Sequence, residues 1–446
     1  MNFLIQNATI VNEGTSFCGS VLVGEGKIEE IFPASQIILK NIAEGAQTID
    51  ATGLLLLPGV IDTHVHFREP GLTHKATWSS ESRAAVAGGV TSVVDMPNTI
   101  PQTTSVELVR EKLAIAARNS AANYGGYLGA TADNLDEVAK LKPEDGVFAV
   151  KLFMGSSTGN MLLDDEKLLS KLFAECPLPI VAHCEDDALI KHNLEAAKKQ
   201  FGENIPFTLH SKIRSAEACY NATSRAVVLA KKYGARLHVA HISTARELGL
   251  FGDSPKITAE TCPQYLWFCN EDYAEKAAFV KCNPAIKTAA DRTALRCAVA
   301  ADTISTIATD HAPHTLSEKQ GSYLNAPSGL PLVQHSLVSM LELVRQGEFS
   351  VETLVEKMCH APARIFSIGN RGYIRKGYAA DLVLVKPEAW QVSAENTLHR
   401  CGWSAFSGCT FAHRVTHTFV NGHLAYAEGT VADTPHAQTL NLVVSG

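Results

Sequence analysis

The sequence predicts an α/β protein: a (β/α)8 barrel carrying a small composite β-sandwich made from the two chain ends. Three observations predict it. Eight short apolar runs alternate with helical stretches through the middle of the 446 residues. The residue types that hold metal ions fall at the C-terminal ends of those runs, where such barrels carry their chemistry. Both ends of the chain are β-rich and Gly-punctuated instead. An open, doubly wound sheet is the competing architecture. It lacks support because no Gly-x-Gly-x-x-Gly turn follows the first barrel run.

At the N-terminus, "FLIQNATIV" and "GSVLVGEGKIEEIF" read as strands. Near the C-terminus "GYIRKGYAADLVLVKP" and "HRVTHTFVNGHLAYAEGTV" do the same, and the Asn-Gly within "VNGH" marks a hairpin turn. The expected division is 1–53 and 371–446 for the β-domain and 54–370 for the barrel. The barrel runs are "LLLLPGVIDTHVHF", "GVTSVVDMPN", "ANYGGYLGAT", "VFAVKLFMG", "LPIVAHCE", "RLHVAHIS", "KITAETCP" and "TISTIATDHAPH". Helical spacing connects many of them, as in "SVELVREKLAIAARN", "DEKLLSKLFAEC", "SAEACYNATSRAVVLAKKYG" and "AADRTALRCAVA".

Composition excludes several classes of function. A net charge of −7 offers no basic surplus for nucleic acid or an anionic membrane surface. The apolar run "GLLLLPGVI" is far too short to span a bilayer, and the first residues lack the charged and apolar regions of a secretory signal. Eleven cysteines, an odd count without a Cys-x-x-Cys pair, fit reduced thiols in a cytoplasmic protein.

The candidate site starts from "DTHVHFREPG". In a strand, His64 and His66 share a face and Val65 points the other way, so two imidazoles can hold one ion. Alone, His-x-His is as readily structural. Here Lys151, His183, His241 and Asp310 fall at or near other strand ends, and the fold would gather them on one rim. Imidazole and carboxylate suit zinc or a similar divalent ion. A lysine ammonium cannot bind a cation, but the free amine of Lys151 can take up carbon dioxide as a carbamate, whose two oxygens can bridge two metals. Asp310 can bind one metal and carry a proton between an attacking hydroxide and a leaving nitrogen. Arg68 offers a planar fork for a carboxylate, Asn98 adds an amide, and His314, four residues after Asp310, can face the same pocket. The remaining histidines carry less. His238 is read as structural, His74, His192 and His210 as loop or surface residues, and His311 as orienting its loop. Cys184, Cys262 and Cys282 lie near the rim, and nucleophile chemistry there would need an activating base beside one of them.

These residues are similar to those of the amidohydrolase superfamily, and within it to the dihydroorotases. "DTHVHFREPG", "AAVAGGVTSVVDMPNT", "IVAHCED", "HVAHIST", "TAETCPQYL", "NPAIKTAADRTAL" and "ATDHAPH" fall in family order over essentially the whole chain. The resemblance implies two zinc ions per subunit, one on His64 and His66 and the other on His183 and His241, with Lys151 as a bridging N6-carboxylysine and Asp310 as ligand and proton shuttle. It implies that Arg68, Asn98 and His314 hold the substrate carboxylate and that Asn283 lies by the pyrimidine ring. The implied reaction is reversible ring closure of N-carbamoyl-L-aspartate to dihydroorotate in pyrimidine synthesis. A homodimer, and association with aspartate transcarbamoylase, are the implied partnerships. Two departures stand out: "NPAIK" puts Lys287 where many relatives have arginine, and "SGLPLVQHSL" replaces a Gly-x-Glu segment in the 321–335 loop. Allantoinases and dihydropyrimidinases share the metal set, and Arg68 is the expected discriminator. A non-catalytic scaffold would be expected to have lost ligands, and all six positions are intact.

Overall fold

The computed structural model describes residues 2–34, 45–155 and 160–443. Five strands open the chain: β1 (Phe3–Asn12), β2 (Thr15–Gly24), β3 (Lys27–Pro33), β4 (Gln47–Asp50) and β5 (Leu55–Pro58). The barrel follows as β6 (Val60–Val65), β7 (Val90–Asp95), β8 (Asn123–Gly126), β9 (Leu128–Gly129), β10 (Val150–Phe153), β11 (Ile180–His183), β12 (Leu237–Val239), β13 (Ile257–Thr261) and β14 (Thr306–Ile307). β8 and β9 are one predicted run divided at Tyr127, so the eight expected strands are all present. They pair in parallel in two arcs, β6-β7-β8 and β9 to β14. The ring closes where Val65 bridges His311 and the His66 N–H donates to the His311 carbonyl at 2.7 Å.

The longer helices wrap this ring: α1 (Trp78–Ala87), α2 (Val106–Asn119), α3 (Glu166–Glu175), α4 (Asp187–Phe201), α5 (Ala216–Tyr233), α6 (Ala289–Ala300) and α7 (Ser336–Arg345). Side-chain N-caps start most of them. Thr77, Ser105, Asp165, Asp186, Ser215 and Thr288 accept from first-turn N–H groups of α1 to α6 in turn. The apolar stripe of each helix then seals the outside of the barrel: Val109 and Ala116 of α2, Leu169 and Phe173 of α3, and Ala226 and Ala230 of α5 are all buried in the main core.

The chain ends meet in one mixed sheet. β15 (Leu382–Gln391), β16 (Thr410–Val420), β17 (His423–Ala427) and β18 (Thr430–Val431) join β5, β1, β2 and β3 in the order β18-β17-β16-β15-β5-β1-β2-β3, with β4 on the other part of β1. A second core fills this β-sandwich, with Phe3, Ile5, Ile10, Val21, Leu56 and Phe419 fully buried. The predicted hairpin is present. Asn421 and Gly422 have φ of 50° and 74°, as the two central residues of a type I′ turn require. β5 pairs β1 on one side and β15 on the other, so the sheet reaches past residue 53 into the stretch expected to begin the barrel. Residues 392–409 leave the sheet and lie on the barrel, where the Arg400 N–H donates to Glu81 and Trp403 Nε1 to the His314 carbonyl.

Candidate active site

A cavity of about 460 Å³ opens over the C-terminal ends of the barrel strands. His64, His66, Arg68, Asn98, Lys151, His183, His241, Asn283, Asp310 and His314 all line it, so every candidate site residue of the sequence faces one space. Three of them, Arg68, His241 and Asp310, hold left-handed φ values of 68°, 44° and 50°. Non-glycine residues rarely adopt that region, and such strain concentrates where side chains must be aimed against local preference.

Two groups of donor atoms form. His64 Nε2 and His66 Nε2 lie 3.3 and 3.0 Å from Asp310 Oδ1. His183 Nδ1 lies 2.9 Å from His241 Nε2. The partners on the far sides of the rings decide what these atoms present. His64 Nδ1 donates to Glu260 Oε1 at 2.7 Å, His66 Nδ1 to Asn98 Oδ1 at 2.7 Å, and His183 Nε2 to Glu185 Oε2 at 2.8 Å. A neutral ring that donates outward turns a lone pair inward. Two lone pairs therefore face a carboxylate oxygen across about the width of a hydrogen bond, an arrangement that calls for a cation between them.

Electrostatics point the same way. Burial holds His66, His183 and His241 below the usual imidazole value, which keeps the rings neutral as ligands. Burial alone would raise the Asp310 carboxyl, but the positive charge that His64, His66 and Lys151 can carry beside it more than offsets this and favours the carboxylate. Lys151 Nζ and His241 Nδ1 are buried with no hydrogen-bond partner among the described residues. Burial pushes the Lys151 ammonium down to about 8, against the pull of Glu260 and Asp310, so the reactive amine is accessible near neutral pH. The donor set and these two orphaned nitrogens fit a metal centre.

On the opposite wall, Arg68 Nε donates to the Pro313 carbonyl at 3.1 Å, which turns the rest of the fork toward the cavity. Asn283 Oδ1 is buried and has no partner among the described residues. Lys287 is directed away, donating to the Ala285 carbonyl, and takes no part in the cavity lining.

Sequence reasoning missed four contributors. Glu260 and Glu185 orient the histidines, and Arg214 grips Glu185 through two nitrogens at 3.0 and 2.6 Å. Lys281 lines the cavity with no carboxylate partner among the described residues and donates to the Tyr323 and Ala326 carbonyls. The one available signal was a carboxylate inside an otherwise neutral strand, as in "KITAETCP".

His210 is a correction. Read from the sequence as a loop or surface residue, it opens the short helix His210–Ile213 and is buried, with its ring between the Tyr323 hydroxyl at 2.9 Å and the Cys282 carbonyl at 2.8 Å. Its neighbours arrive from distant segments, which local sequence does not reveal. His238 points away from the rim and pairs with Thr258 Oγ1 at 2.8 Å. Burial raises the Cys184, Cys262 and Cys282 thiols, so none is poised as a nucleophile.

A second cluster, Glu81 with His311 and His399, also groups ligand-type atoms. Here His311 Nδ1 accepts the Leu332 and Val333 N–H groups, so Nε2 carries the proton and donates it to Glu81. This is a hydrogen-bonded anchor for the strand that closes the barrel, and it ties residues 332–333 to the loop of Asp310.

Comparison with known proteins agrees with this geometry. A dihydroorotase of Methanosphaera stadtmanae is 32% identical over 396 residues, covering 87% of this chain and 88% of its own. An allantoinase of Bacillus velezensis is 32% identical over 440 residues, covering 96% and 94%. Among solved structures, the L-hydantoinase (dihydropyrimidinase) from Arthrobacter aurescens superposes with a TM-score of 0.93 at 26% identity, over 98% of this chain and 99% of that one. No helix among the described residues is long and apolar enough to cross a membrane. The Amidohydrolase family profile matches residues 55–425, from the last strand before the barrel through the β-sandwich hairpin, and the chain belongs to that family.

Proposed function

We propose that this amidohydrolase is a dihydroorotase, interconverting N-carbamoyl-L-aspartate and dihydroorotate. The observation that carries the reading is Arg68, buried at the cavity wall with its Nε on the Pro313 carbonyl and its terminal N–H groups without a carboxylate or carbonyl acceptor among the described residues. A buried fork of this kind rewards a ring that bears a carboxylate. Lys281, on the same lining, adds a second cation near the substrate space.

His64, His66 and Asp310 would hold one divalent ion and His183 and His241 a second, with zinc favoured by the nitrogen-rich donor set. Lys151, as its carbamate, would lie between them. Bound there, the ions supply Lewis acidity toward the amide carbonyl and a hydroxide at neutral pH. The chain's own residues do the rest. Arg68 and the Asn98 amide hold the carboxylate, with the His314 ring beside the Arg68 fork, and Asn283 receives the ring of the substrate. Asp310, ionised and beside both histidines, takes a proton at its carboxylate and returns it to the departing amide nitrogen.

The second reading is a neutral-ring cyclic amidohydrolase, favoured by the likeness to an allantoinase and to the L-hydantoinase. Parallel assays with dihydroorotate, allantoin, hydantoin and dihydrouracil, with metal content measured on the same sample, separate the two. Turnover of dihydroorotate well above the neutral rings is expected. Preference for a neutral ring would sink the dihydroorotase reading.

A further inference from the structure

His314 has three polar neighbours that cannot all be satisfied by one ring. Lys75 Nζ lies 3.0 Å from Nδ1, the Ser328 carbonyl oxygen 3.0 Å from Nε2, and an Arg68 terminal nitrogen 3.2 Å from Nε2. A lysine ammonium only donates and a carbonyl only accepts. A ring with its proton on Nε2 therefore satisfies both, accepting from Lys75 and donating to Ser328. The other tautomer satisfies only the arginine and sets an N–H against an ammonium. A doubly protonated ring meets the same clash with Lys75.

The consequence falls on Arg68. With Nε2 carrying the proton, the arginine nitrogen 3.2 Å away has no acceptor among the described residues, and its N–H groups are left for a ligand. Lys75 is itself held by Glu318 Oε1 at 2.9 Å, whose other oxygen closes the capping box of the short helix Leu316–Lys319. The charges that face His314 are Arg68 and Lys75 from the segment after β6 and Lys319 from that helix. Ser328 approaches from the cavity wall, and Trp403 binds the His314 carbonyl. Burial and these three cations hold the imidazole well below its usual value.

We infer that Lys75 is a positioning residue: it fixes the Nε2–H tautomer of His314 and so keeps the Arg68 fork unpaired for a substrate carboxylate. The inference deepens the dihydroorotase reading and its kinetic part rests on it. It makes Lys75, which does not line the cavity, a determinant of selectivity between carboxylate-bearing and neutral rings.

The test uses the full-length metal-loaded protein and Lys75→Met, Lys75→Arg and Lys75→Gln. Histidine 15N spectra, with the His314 signal assigned by its loss in His314→Asn, are expected to show the Nε2–H tautomer in the parent and no titration between about pH 6 and 8. In Lys75→Met the second tautomer, or a titration moved toward neutrality, is expected. KM for dihydroorotate is expected to rise at least about tenfold, the size of one charge-assisted hydrogen bond, with kcat within about twofold. KM for hydantoin or dihydrouracil stays unchanged, and Lys75→Arg, which restores a donor, recovers the lower KM. If Lys75→Met does not fold, Lys75→Leu carries the same comparison, and Lys75→Gln, which keeps a donor without the charge, is expected to fall between it and the parent. A parent spectrum showing Nδ1–H, or a folded Lys75→Met with the parent tautomer and KM, overturns the inference. Should the parent protein prefer neutral rings, the dihydroorotase reading fails while the 15N spectra still decide the Lys75–His314 arrangement.

Discussion

Glu260 carries more at the residue scale than its place in an inner strand suggests. Its Oε1 accepts from His64 Nδ1 and, at 3.3 Å, from the His241 backbone N–H, so one carboxylate ties a candidate ligand of each metal group. Burial alone would raise its pKa, but His64 and His238 hold it well below the usual carboxylate value. Glu260→Gln keeps the shape and removes the charge. It is expected to weaken metal binding about 10- to 100-fold, the usual effect of losing an outer partner of a ligating histidine, read by metal titration of the stripped protein. Unchanged affinity would mean that the carboxylate serves the barrel interior alone.

At the scale of elements, the wall formed by residues 324–329 has no regular structure, and two buried lysines organise it. Lys319 Nζ donates to the carbonyls of Lys281, Pro327 and Gly329 at 3.3, 2.9 and 3.0 Å, while Lys281 Nζ takes those of Tyr323 and Ala326. Backbone groups that would otherwise need a strand partner find an ammonium instead. Gly329 sits at φ 142°, where a Cβ would stand 2.5 Å from the Ala312 carbonyl oxygen and 2.9 Å from His314 Nε2. Only glycine lets the wall lie this close to the site. Lys319→Met leaves the Pro327 and Gly329 carbonyls without this donor, while the Lys281 carbonyl keeps the Gly329 N–H, and is expected to cost about 2 kcal/mol of local stability. Faster amide hydrogen exchange confined to the wall checks this, and parent-like protection there would argue against the clamp.

Across the whole molecule, Glu81 joins parts that are far apart in sequence. From α1 it accepts from His311 of the barrel closure and from His399 and the Arg400 N–H of the segment that leaves the β-sandwich. Burial pushes its carboxyl up, yet the His311 and His399 contacts more than offset this and hold it far below the usual range. Because the folded value is depressed, the stabilisation is fully present above the unfolded carboxylate value near 4.3 and is lost as pH falls below it. Glu81→Gln is expected to cost about 3 kcal/mol at neutral pH and to flatten the acid side of a plot of Tm against pH. An unchanged acid limb would show that other carboxylates govern it.

Much of this was legible in order along the chain. Alternating apolar runs and helical spacing gave the barrel, because those periods are local consequences of burial on one face. The histidines, Lys151 and Asp310 could be picked out as candidates because ligand chemistry allows few residue types and strand ends are where a barrel places them, and they line one cavity. The dihydroorotase-like motifs added roles for Arg68, Asn98, Asn283 and His314, and all four line the cavity. Glu260, Lys281 and Lys75 were not legible, since each acts through a partner tens to hundreds of residues away in sequence, and Glu185, only two residues from His183, was not legible because its type alone reads as an ordinary charge. His210 was misread for the same reason. The sequence by itself determined which side chains are available and the periods that form each strand and helix. Only the tertiary structure decided which rings face one another, which nitrogen of each carries its proton, and which cation stays unpaired. Those depend on hydrogen bonds between segments that meet only when the barrel closes.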